Sequence, residues 1–432
     1  MPLLGAARVI AQGVWSMSIF ELIATLLSLS ALFGWLNHRF LHLPHSVGLL
    51  VLGLVASLLL VAVELVFPAE QLYEQLAAAL KQIDFAQVVL NGILAFLLFA
   101  GSLNVNFEAL KRRIVPVLLL AVPGTIVSTV VIGVLFWLVS GAIGYPISLP
   151  WSLVFGALIS PTDPVAVLTM LKGVPLPENL RVEAEGEALF NDGIGIVLFT
   201  LLVGIAGGHE AFSFGTALWD LVREAGGGVA LGLLAGYIGY RGLKSIDDFP
   251  VEVLITLALV AATYALAQRL GLSGPLATVA AGLLIGNRAP KDAMSDRTQT
   301  YVSALWTLID EVLNSVLFLL IGLEVLVINV QLPAIGLALL AVPIAMLARF
   351  LAIAAPTLLP TGGMFDFRNV PFLTWAGVRG GISVALALAL PASDAKSPIL
   401  AATYAVVLFT VVVQGTTLGW VARRFTPTAK DP

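Results

Sequence analysis

Apolar runs of about twenty residues follow one another along the whole chain, separated by short polar breaks. A helix needs about 20 residues to cross a bilayer, and the pattern predicts thirteen such helices. They lie near 18–37, 46–66, 86–104, 114–139, 150–171, 184–205, 225–243, 251–269, 273–287, 301–328, 333–358, 370–391 and 398–422. The longest polar break, about 67–85, is under twenty residues. No soluble domain fits between spans, so residues 1–432 are expected to form a single, all-α membrane domain.

Lys and Arg give the orientation, because cytoplasmic connections carry their excess. Alternate connections hold fifteen of them, from Arg39 and Lys111-Arg112-Arg113 to Arg423 and Arg424. The opposite side holds five: Arg8, Lys81, Arg223, Arg269 and Lys396. The bias supports an odd number of spans, with the N-terminus outside and the C-terminus cytoplasmic, in the cell (inner) membrane.

Composition narrows the classes. Of 432 residues, 59% are hydrophobic and 11% charged, with a mean hydropathy of +1.01; soluble chains carry about 25% charged residues. The absence of cysteine removes a disulfide framework, thiolate catalysis and Cys-based metal sites. No basic patch suggests nucleic acid, lipid is the expected surrounding, and no cofactor is expected.

Two spans are interrupted. Span 5 contains Ser160-Pro161-Thr162-Asp163-Pro164, whose prolines remove backbone donors. Span 12 contains Gly377-Val378-Arg379-Gly380-Gly381, where glycine weakens the helix. They are seven spans apart in chain order, an odd number, so they cross the membrane in opposite directions. Interrupted helices at matching places of inverted repeats mark the substrate site of transporters.

Charges at membrane depth point to the same place. Asp192 on span 6 lies about eight residues, or about 12 Å, from the cytoplasmic end. Asp163 and Arg379 lie at a similar depth, and ionisable residues there are functional by default. Glu187 and Asp192 are about 140° apart around their helix. Glu187 is therefore expected to turn to a neighbouring helix and form a structural ion pair with Arg379. Asp192, left without a fixed partner, must hold either a proton or a cation. Asp163, Thr162 and freed carbonyls offer oxygen ligands for a hard cation; the competing reading makes Asp163 a helix cap. Glu252 either snorkels or stays inside; Asp310, Glu311, Asn314 and Glu324 read as structural polar packing. Arg349 is expected to snorkel to the cytoplasmic end of span 11. His38, His42 and His45 read as a solvated connection.

The motifs carry a resemblance. Gly156 to Val167, with Thr162-Asp163-Pro164, resembles the TDP segment of NhaP-type sodium/proton antiporters, a branch of the monovalent cation/proton antiporters that includes the animal exchangers. Glu185-Gly-Glu187-Ala-Leu-Phe-Asn191-Asp192 resembles that family's EGES-x-x-ND motif, and Gly377-Val-Arg379-Gly-Gly its late GxRG motif. The stretch Leu272 to Asn287 is also similar, so the motifs span most of the chain in order.

The resemblance implies an NhaA/NhaP-like fold, a homodimer, and a six-helix ion-transporting bundle moving against a dimerisation part. We place the bundle within about 86–205 and 301–422, and the scaffold at about 18–66 and 225–287. It makes Asp192 the ion- and proton-binding carboxylate, joined by Asp163, Thr162 and Asn191, with Glu187 and Arg379 as the stabilising pair. Asn191 stands where other relatives carry a second Asp, which implies electroneutral one-for-one exchange. One departure is Ala188, where the family usually has Ser; it removes a hydroxyl and makes K+ more plausible. The expected function is exchange of Na+ (or Li+ or K+) for H+ by alternating access, serving pH homeostasis. The alternatives are K+/H+ exchange, a cation-coupled solute carrier and, remotely, an intramembrane aspartyl hydrolase; the protein is not expected to be an enzyme.

Overall fold

In a bilayer the backbone has no water to bond, so each apolar run closes its own hydrogen bonds as a helix. The computed structural model describes residues 19–66, 85–163, 166–167, 176–208, 214–324, 332–358 and 366–425. Among them there is no strand, and each of the thirteen predicted spans coincides with helix. In chain order these are α1 (Ile19–Leu36), α2 (His45–Val66), α3 (85–103), α4 (Ile114–Ala142) and α5 (Leu149–Ile159). Then follow α6 (Glu178–Ala206), α7 (Phe214–Leu243), α8 (Phe249–Arg269), α9 (Gly274–Asp292), α10 (Asp296–Glu324) and α11 (Leu332–Ala354). Span 12 is split into α12 (Val370–Trp375) and α13 (Gly381–Leu388), and α14 (Lys396–Phe425) closes the chain. Eight helices among the described residues are each long and apolar enough to cross a membrane.

Span 5 breaks where Pro161 cannot donate. Helix α5 ends at Ile159, residues 160–163 are non-helical, and helix resumes at 166–167. Pro164 and most of the second half of this span lie outside the described residues. Span 12 is non-helical from 376 to 380. The two breaks meet: Asp163 N donates to Val378 O at 2.8 Å.

The helices pack in two groups. Helices α4, α5, α6 and α11 to α14 pack mainly on one another. Helices α1, α2, α3, α7, α8, α9 and α10 form the second group, with α10 against α2 and α3 against α9. Spans 3 and 10 pack mainly within the second group. Between helices in lipid, close approach replaces hydrophobic drive. On α7, Gly228, Gly232 and Gly236 face α9 so closely that a Cβ at Gly232 would run into the Ala277 carbonyl. Large apolar side chains on the outer faces, such as Leu254 and Ile238 on α8 and α7, are exposed as lipid contact requires.

Candidate functional site

The crossing leaves helix ends inside the protein, and their backbone groups need partners. Asp163 N would ordinarily serve Ile159 O, but it is spent on Val378 O. Arg379 takes over: its Nε donates to Ile159 O at 2.6 Å and its Nη1 to Gly377 O. Its backbone N donates to Thr410 Oγ1 at 3.1 Å, within the π-helical stretch Phe409–Gln414 of α14. Arg349 Nη2 donates to Leu373 O at 3.2 Å. Guanidinium groups therefore sit on the negative ends of α5 and α12. Gly377 passes between them: a Cβ there would lie 2.7 Å from Arg349 Nε and 2.8 Å from Arg379 Nη1.

Asp163 serves the positive ends. Its Oδ1 accepts from Ala166 N at 3.0 Å, capping the turn that starts there. Its carboxylate also lies against Gly380, just before α13, where a Cβ would collide with it. Gly381, the first residue of α13, is as tightly held, against Leu317 of α10. Capping and cavity lining coexist in Asp163.

Helix α6 presents two faces, as its spacing requires. On one, Glu187 makes a buried two-pronged pair with Arg349: Nη1 to Oε1, and Nη2 to Oε2 at 2.8 Å. This corrects two expectations. Glu187 does not pair with Arg379, whose guanidinium is claimed by carbonyls at the two breaks, Ile159 O and Gly377 O. Nor does Arg349 snorkel, being only 6% exposed. One turn earlier, Glu183 accepts from Arg113 Nε at 2.8 Å, so two carboxylates fasten α6 to α4 and α11. Asn191 bonds Thr162 both ways: Nδ2 donates to Thr162 Oγ1 at 2.9 Å, and Thr162 N donates to Asn191 Oδ1 at 3.3 Å.

The other face carries Asp192, which is 2% exposed. It lines a cavity of about 40 Å3 together with Pro161, Thr162, Asp163, Asn314 and Ser383. A water needs roughly 10–15 Å3, so the space suits a cation with little of its hydration shell. No hydrogen bond reaches Asp192 among the described residues. Apolar walls come from Leu94, Leu97 and Leu98 of α3, Leu189 of α6 and Leu317 of α10. The cavity thus lies on the seam between the two packing groups. Ala188 is buried but does not line it, so the missing hydroxyl takes no oxygen from this cavity.

Sequence reasoning had Asn314 as polar packing but missed its place on the cavity, and it missed both the Glu183–Arg113 pair and the true partner of Glu187. Only the i, i+4 spacings of Asp310 with Asn314 and of Glu183 with Glu187 hinted at them. Glu252 does not snorkel: it is fully buried, and neither carboxyl oxygen has a hydrogen-bond partner among the described residues. His45 lies within 2.7 Å of Ser315 Oγ on α10, so it is not merely solvated.

Two discontinuous helices crossing beside a buried carboxylate define the architecture of a secondary transporter. The chain belongs to the sodium/hydrogen exchanger family: the family model described as "Sodium/hydrogen exchanger, transmembrane" matches residues 27–424. It is 39% identical over 412 residues to the Na+/H+ antiporter NhaP of Pseudomonas aeruginosa, covering 94% of this chain and 97% of that one. It is 32% identical over 383 residues to the Na+/H+ antiporter NhaH of Halobacillus dabanensis, covering 87% and 90%. The solved structure of the sodium proton antiporter MjNhaP1 from Methanocaldococcus jannaschii at pH 8 shares the fold. Its TM-score is 0.73 at 22% identity, with 94% of this chain and 98% of that chain covered.

Proposed function

We propose that the protein is a Na+/H+ antiporter that exchanges one cation for one proton at Asp192. The carrying observation is a buried carboxylate with no hydrogen-bond partner among the described residues, on a cavity of about 40 Å3. In such a place a carboxylate is stable only with a proton or a cation on it, so the two compete for one site. The names of the relatives above support the same ions.

In this reading Asp163 fixes the crossing and lends negative charge to the cavity. Thr162, held by Asn191, offers its hydroxyl to the ion. Arg379 and the Glu187–Arg349 pair keep the broken helices in register. With Asn191 neutral, one carboxylate alternates between cargoes, and exchange is electroneutral. The group containing α4 to α6 and α11 to α14 carries the ion past the scaffold by an elevator movement. The protein works as a homodimer in the cell membrane, with its C-terminus cytoplasmic.

Everted membrane vesicles with a pH-sensitive dye test this. Na+ should dequench the dye, and Asp192→Asn should abolish the response; dequenching that survives the substitution sinks the assignment. Collapse of the membrane potential should leave the rate unchanged. Rates with Na+, Li+ and K+ at several pH values set the cation preference.

A further inference from the structure

Asn314 belongs to α10, in the second packing group, yet it lines the Asp192 cavity and is only 5% exposed. Its amide has one sensible orientation. Nδ2 donates to Asp310 O at 2.9 Å and to the Asp310 carboxylate at 3.1 Å. The reversed amide would set Oδ1 against a carbonyl and a carboxylate, neither of which donates. Oδ1 is thereby turned away from Asp310, and no donor among the described residues bonds it.

We infer that Asn314 Oδ1 is a neutral oxygen ligand of the transported cation, and that Asp310 is the positioning residue that presents it. This rests on the reading of Asp192 as the exchanging carboxylate. A hard cation entering so small a cavity must replace lost water with protein oxygen. Asp163 is engaged as a cap, the Asn191 amide is engaged with Thr162, and Ala188 brings no hydroxyl. Asn314 supplies an oxygen without adding a negative charge that would also bind a proton. Because it sits across the seam, it contributes only while the two groups hold the arrangement seen here.

The test is Na+/H+ exchange in proteoliposomes. Asn314→Ala should raise the KM for Na+ about tenfold, the worth of one hydrogen bond to a charged group, with the maximal rate little changed. Asn314→Leu keeps the volume and should do the same, and it carries the test if the alanine variant does not fold. Asp310→Ala should raise KM less, and in the Asn314→Ala background it should add nothing, because Asp310 acts through Asn314. An unchanged Na+ KM in folded Asn314 variants, alongside a dead Asp192→Asn, overturns this inference alone. Effects of Asp310 and Asn314 that multiply overturn the positioning role. Exchange that survives Asp192→Asn overturns the underlying reading, and this inference with it.

Discussion

Arg349 and Arg379 approach the same glycine from either side yet meet different needs, and substitutions should separate them. Arg349→Ala leaves Glu187 charged, buried and alone, a situation that costs about 3–5 kcal/mol. A steep loss of melting temperature in detergent is expected, largely recovered when Glu187→Met is combined with Arg349→Met. If the single and double variants melt alike, the pair is not what holds α6 to α11. Gly380→Ala pushes a methyl into the Asp163 carboxylate and should abolish exchange while the protein still folds. Gly377→Ala presses on the Arg349 and Arg379 side chains, which hydrogen bonds hold in place, and should lower the melting temperature in detergent as well as the response in the same dye assay. Asp163, Asp192 and Arg379 were legible as a set because depth along a helix follows from counting residues. The partner of Glu187 was not, because counting gives no azimuth across helices far apart in sequence. Arg349, expected to snorkel, turns inward instead, because the stranded carbonyls claim Arg379 and leave Glu187 to Arg349.

At the level of elements, all thirteen spans could be read from hydropathy, because a helix in lipid must satisfy itself. Starts were read late where the first turns are polar: α6 begins at Glu178 rather than near 184, and α7 at Phe214 rather than near 225. The seam between α7 and α9 offers a contrast of glycines. Gly232→Ala drives a methyl into the Ala277 carbonyl and should lower the melting temperature. Gly226→Ala meets nothing within 4 Å and should raise it slightly, by the about 0.5–1 kcal/mol that alanine gains in a helix. Equal shifts would mean that the close approach does not hold the helices together. At one end of this seam, hydrogen bonds from Lys244 and Tyr240 hold the Asp292 carboxyl below its ordinary range. The hydrogen bond to Asp292 in turn lifts Lys244. The aspartate's share is present above an unfolded pKa of about 3.9 and is lost only as pH falls through its lower folded value. The lysine's share is lost only as pH rises beyond about 10.4. Lys244→Gln should therefore leave the shape of the exchange–pH profile unchanged between about pH 5 and 9.

Across the whole molecule, the cavity lies where the two packing groups meet, so an ion held there touches both. Asp192, Asp163 and Ser383 belong to one group; Asn314 and the leucines of α3 belong to the other. Alternating access by an elevator requires α6 to slide against α3. A cross-link between those helices must then stop exchange without emptying the site. Gly101 on α3 is suited to it: a Cβ there would lie 4.0 Å from the Leu189 side chain of α6, with nothing nearer. The natural chain has no cysteine, so Gly101→Cys with Leu189→Cys gives the only thiol pair in the protein. Joining the two thiols with a short bifunctional reagent should abolish exchange relative to the same variant before cross-linking. Reversal of the link should restore it. Na+ should still raise the melting temperature of the linked protein, since binding to the folded state alone stabilises it. Exchange that continues at complete cross-linking would refute sliding across this seam and leave a local gate around Asp192 as the means of alternating access.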